Sequence, residues 1–123
     1  MIGVFVSRFW DGMASTPAEA ADKLMSAIES EDKNAAESSI CDGSSMNYED
    51  AKNQVLGAAE ASGGTITDVR WTVSESSKEE DSARISISLE VVAEVNDARQ
   101  VDRRVLTADL RKGREWKVCS LHP

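Results

Sequence analysis

Between Ala83 and Val95 every odd-numbered residue is apolar: Ala83, Ile85, Ile87, Leu89, Val91, Ala93 and Val95. The intervening Arg84, Ser86, Ser88, Glu90 and Glu94 are polar, and Val92 alone breaks the rule. Side chains on a strand alternate between faces, so a run of this length with period two predicts one long strand, half in a core and half in water. One such strand is not stable alone and must find neighbours in a sheet.

The flanking sequence offers them. Thr67, Val69, Trp71 and Val73 alternate with Asp68, Arg70, Thr72 and Ser74, and Glu75 to Asp81 reads as a polar turn. After a turn at Asn96-Asp97-Ala98, a third strand is expected from about Arg99 to Leu110. Lys112-Gly113 turns again before a fourth, Glu115 to Leu121. Connections this short make an antiparallel meander. The last two strands keep two readings open. Leu106, Ala108 and Leu110 lie on one face but Val101 and Val105 on the other, and Trp116 and Val118 oppose Cys119 and Leu121. Either a bulge shifts the parity or both faces are partly covered.

Before Gly63-Gly64 the period is helical. Thr16-Pro17-Ala18-Glu19 carries an N-cap, a proline at the first helical position and the glutamate of a capping box. Ala18, Ala21, Leu24, Met25 and Ile28 then share a face to about Ser30. Asp32 caps a short helix, Lys33 to about Ile40, with Ala35, Ala36 and Ile40 inward. Asn47 or Ser45 caps a third, through Ala61, whose inward set is Ala51, Val55, Leu56 and Ala59. The expected fold is α+β: three N-terminal helices packed on a curved four-stranded antiparallel meander sheet, in one domain over residues 16–123. Residues 1–15 form a separate segment, either disordered or membrane-proximal. Its apolar Met1–Val6 stops at Ser7-Arg8 and is too short to span a bilayer by itself, though it suits the stump of a longer anchor.

Charge and cysteine usage narrow the function classes. The formal net charge of −8 repels phosphate backbones, so no nucleic-acid partner is expected. Glu29 to Asp50 holds seven acids against Lys33. Arg99 to Lys117 holds seven bases against Asp102, Asp109 and Glu115, a polar surface suited to docking a partner. Cys41 and Cys119 sit in no metal or redox motif, and the one histidine cannot complete a zinc site, so neither a metal nor a cofactor is expected. An isolated, distant pair of cysteines suggests a disulfide and with it an oxidising compartment.

Three helices followed by a four-strand meander, with the amphipathic helix Ala18–Ile28, the junction Glu29-Ser30-Glu31-Asp32-Lys33-Asn34-Ala35-Ala36 and the terminal Trp116-Lys117-Val118-Cys119-Ser120-Leu121, resemble the nuclear transport factor 2-like superfamily. The closing strand is similar to that of small actinobacterial members, often extracytoplasmic parts of lipoproteins or of Mce-associated membrane proteins. The resemblance spans about Thr16 to Leu121. It implies a conical cavity, an extracytoplasmic setting, and proximity of the Cys41 and Cys119 regions. A fold of this kind hosts many activities, so function must come from a site.

Enzymes similar to ketosteroid isomerase use that cavity, and need an acid to move a proton and donors to hold an oxyanion. Tyr48, Trp71, Asp109 and Trp116 are the residues that would line it here. Against this stand plainer roles: Tyr48 covering a helix end, the two tryptophans as core, Asp109 paired with Arg103 on an outer face. No residue is assigned as catalytic. Val92 with Val101 and Val105 would make an apolar patch beside Arg103 and Arg104, marking a partner surface or a homodimer seam. The expectation is a non-catalytic extracytoplasmic binding or assembly domain acting through the sheet face or the C-terminal hairpin on a protein partner. The alternatives are a binder of a small apolar ligand or an isomerase-like enzyme using the cone, and a periplasmic-type scaffold subunit of a secretion or transport machine.

Overall fold

A computed structural model of the chain describes residues 16–123; the segment 1–15, with the apolar run Met1–Val6, lies outside the described residues. Helix α1, Pro17–Glu29, starts where its capping box says it should. Thr16 Oγ1 accepts from the Glu19 amide at 3.1 Å and Glu19 Oε1 accepts from the Thr16 amide at 3.2 Å. The helix ends in a Schellman motif. The Asp32 amide reaches Ala27 O at 2.9 Å and the Glu31 amide reaches Ile28 O at 3.2 Å, which throws Glu31 into the left-handed region at φ 57°. Asp32 then caps α2, Lys33–Ser38, through the Ala35 amide at 3.1 Å. Asn47 and Asp50 cap α3, Tyr48–Ala61, reciprocally, and Gly63 at φ 79° stops it.

Four strands follow as an open antiparallel sheet in the order β1-β2-β3-β4. They are β1 (Thr65–Lys78), β2 (Ser82–Val95), β3 (Ala98–Lys112) and β4 (Trp116–His122). The β2–β3 hairpin closes on Asn96-Asp97, both at positive φ, the geometry that matches the strand twist and that Asn and Asp tolerate best. Strand β1 runs past Glu75, where the sequence suggested a turn. Ser77 and Lys78 still pair with Arg84 and Ala83 after a bulge at Ser76, with polar side chains that leave no hydrophobic period to read.

The odd residues of β2 are buried as a row, except Val95 at its end, which is partly exposed. With Leu106, Ala108 and Leu110 of β3 they join the buried residues of the three helices in one hydrophobic cluster. Full burial of each larger apolar side chain stabilises by roughly 1.5–3 kcal/mol. The parity question resolves differently in the two strands. In β3 the even residues face the core, leaving Val101 and Val105 outside. In β4 a bulge does the work: Asp109 pairs with Ser120 and Leu110 with Val118, so Cys119 is the extra residue. Trp116, Val118 and Leu121 therefore all reach the core.

The stretch after α2 lies along the free edge of β4. Ile40 forms a one-residue parallel bridge to Val118, with Cys41 N to Val118 O at 2.9 Å and Val118 N to Ser39 O at 2.8 Å. It is a bridge, not a fifth strand.

Candidate functional site

Burial and pairing sort the candidate residues into three places. Tyr48, Trp71 and Trp116 are core: each is buried in the cluster beneath the helices. Trp71 is held from the opposite layer, its indole Nε1 donating to Asp22 Oδ1 of α1 at 2.7 Å. Asp22 is only 9% exposed, and nothing in its sequence neighbourhood marks it; it lies on the apolar stripe of α1, where a carboxylate needs a buried donor.

Asp109 does not join them. Its parity places it on the outer face at the far end of the sheet, and its partner is Arg84, not Arg103. Arg84 Nε donates to Oδ1 at 3.0 Å, Ser120 Oγ to Oδ2 at 2.9 Å, and His122 Nε2 lies 3.2 Å from Oδ2. Partial burial alone would raise its pKa. The bonds from Arg84, Ser120 and His122, with the Arg84 charge, outweigh that and hold the carboxyl below the usual Asp value. The serine and the histidine both turn to the carboxylate, a structural ion cluster in form.

The proposed apolar patch divides. Val101 and Val105, 37% and 55% exposed, stand on the outer face. Val92, cross-strand partner of Val101, is on the same side but 4% exposed, so it supports the patch without offering surface. Arg103 is outside and pairs with Glu90 at 3.1 Å. Arg104 faces the helix side: it donates to Asp102 Oδ2 at 2.8 Å and to Gln54 O of α3 at 3.4 Å. Register builds the outer face in rows, Arg70–Glu90–Arg103 beside Thr72–Ser88–Val105. A shallow groove of about 560 Å3 runs there, apolar at Val105 with Arg70, Glu90 and Arg103 on its rim.

The third place is the β3–β4 hairpin. Cys41 and Cys119 are disulfide-bonded with Cα atoms 4.8 Å apart, within the range a bridge requires. The bulge leaves Cys119 without a partner in the β3 register, beside the Cys41 segment that runs along the β4 edge. Ser44 Oγ adds a 2.7 Å bond to Cys119 O. Between this anchored loop and the hairpin turn lies a groove of about 840 Å3 lined by Arg111, Lys112, Arg114 and Lys117, with Asp42 and Glu115. Among the described residues, no three His, Cys, Asp or Glu side chains are grouped to hold a metal ion, and no helix is long and apolar enough to cross a membrane. Compared with known proteins, the chain matches no protein-family model and no curated sequence.

Proposed function

We propose that this is a non-catalytic binding or assembly domain, working outside the cytoplasm, that meets a protein partner through the outer face of its sheet. The observation that carries the reading is Val105, more than half exposed in mid-strand and set in an apolar groove with a charged rim. An apolar centre with a polar border is the anatomy of a protein contact, in which a few central residues supply most of the affinity. The packing of Tyr48, Trp71 and Trp116 favours this over a ligand held inside the cone. The Cys41–Cys119 bridge is consistent with an oxidising compartment. Three helices followed by an antiparallel meander support the likeness to nuclear transport factor 2-like domains.

A photo-crosslinking amino acid at Val105, in the protein expressed in its native cells, tests the surface. The expected result is one discrete adduct, absent when the crosslinker replaces Glu60 on the exposed side of α3. Equal labelling from the two positions would sink the reading. Alkylation of the unreduced, denatured protein tests the compartment, and addition of two alkyl groups to protein from those cells would remove it.

A further inference from the structure

The rim of the hairpin groove is arranged against its own stability. Arg111 and Lys117 are direct cross-strand partners and both line the groove. Like charges directly opposite on an antiparallel pair repel, and an ordinary surface position would carry an acid or a neutral residue instead. Lys112 and Arg114 add two more cations within the same turn. The two acids of the groove are already engaged: Glu115 lies 3.9 Å from Lys23, and Asp42, 99% exposed, sits 4.0 Å from Lys117. Arg111, Lys112 and Arg114 have no ion pair among the described residues, in a chain whose net charge is −8. A sequence so acidic overall has acids to spare for these positions.

From this arrangement we infer that the groove between the β3–β4 turn and the Cys41–Ser44 loop is a binding site for a phosphate-class oxyanion. The chemistry fits in three respects. Guanidinium groups match tetrahedral oxyanions with paired N–H donors, and Arg111 and Arg114 supply two of them. Three cations within four consecutive residues, without an ion pair among the described residues, suit a compact multiply charged anion, where an extended acidic peptide would want them spread along its length. The wall opposite is held still by the disulfide, the Ser44 hydroxyl and the Val118 bridge, so closing on the ligand costs little ordering. A bound anion then offsets the repulsion between Arg111 and Lys117 further than the single, fully exposed Asp42 does. The site stands apart from the outer-face surface around Val105 and does not depend on it.

The test compares melting and calorimetric titration of the intact oxidised domain in sodium phosphate and in sodium chloride of matched ionic strength, which screens equally. Phosphate is expected to raise the melting temperature where chloride does not, as a ligand selective for the folded state must. Arg111→Gln is expected to melt at or above the wild-type temperature without phosphate, yet to bind phosphate at least about tenfold more weakly. Arg114→Gln should lose a similar factor, and Arg99→Gln, a cation outside the groove, should lose none. Co-sedimentation with vesicles of neutral lipid, with and without phosphatidylglycerol, identifies the source: binding abolished by Arg114→Gln assigns a lipid headgroup, and binding to inorganic phosphate alone assigns a free one. Binding to neither, equal effects of phosphate and chloride, or an Arg99→Gln loss as large as that of Arg111→Gln would overturn the assignment.

Discussion

Replacing Trp71 by Phe isolates the one buried carboxylate among the described residues. The indole N–H is a 2.7 Å donor to Asp22, and the two residues are 4% and 9% exposed. Phe keeps an aromatic ring but leaves the largely buried Asp22 without that donor. A hydrogen bond to a charged group is worth about 1.5–3 kcal/mol, and the lost ring volume adds about 1 kcal/mol. Trp71→Phe should therefore cost about 2.5–4 kcal/mol in urea denaturation, with an unchanged slope. The separation of the two parts comes from a double-mutant cycle. In an Asp22→Ala background the hydrogen-bond part has already gone, so Trp71→Phe should cost only about 1 kcal/mol there. A coupling of roughly 1.5–3 kcal/mol is expected, and equal costs in the two backgrounds would refute the view that this bond joins α1 to β1.

Four further outcomes follow from the same structure. The bond between Cys41 and Cys119 closes a separation of 78 residues, so Cys41→Ser with Cys119→Ser should lose about 4.5 kcal/mol by the chain-entropy relation, read from denaturant midpoints against the oxidised protein. Glu31 holds a left-handed position that glycine adopts freely, so Glu31→Gly should stabilise by about 0.5–1 kcal/mol, visible as a higher melting temperature. Leu89→Ala, in the middle of the buried row of β2, should cost roughly 2–5 kcal/mol, and a loss under about 1 kcal/mol would contradict its placement. Asp109 has a lowered pKa, so its ionised form adds stability that is present above the unfolded Asp value and disappears as pH falls through the folded one. Asp109→Asn should consequently flatten the acid limb of the stability–pH curve, modestly because the group is partly solvated.

What could be read from residues alone was whatever repeats. The period of β2 and the inward set of α3, Ala51, Val55, Leu56 and Ala59, came from hydrophobic spacing, and the cap boundaries at Thr16, Asp32 and Asn47 from local backbone chemistry. What could not be read depends on one residue against another far away. The parity of β4 turned on a single inserted position, Cys119, which no window of alternation can register. Arg103 and Arg104 alternate to opposite faces, but their partners, Glu90 across the sheet and Gln54 O of α3, are set by register and helix packing. Asp22 is invisible for the same reason, since its donor is 49 residues away. The like-charged pair Arg111–Lys117 becomes a pair only once the hairpin register is known.

The bridge from Ile40 to Val118 has a kinetic meaning as well. The hairpins of the sheet join strands through turns of a few residues, so their loops close early and cheaply, whereas the Ile40–Val118 contact waits on the docking of two distant segments. That seam is thus among the last interactions to form on the way to the native state and among the first to open on the way out. A covalent bond across it, between Cys41 and Cys119, lies on the late side of the barrier and so acts chiefly on the escape rate. Oxidation should leave the speed of sheet assembly almost untouched while lengthening the lifetime of the folded domain.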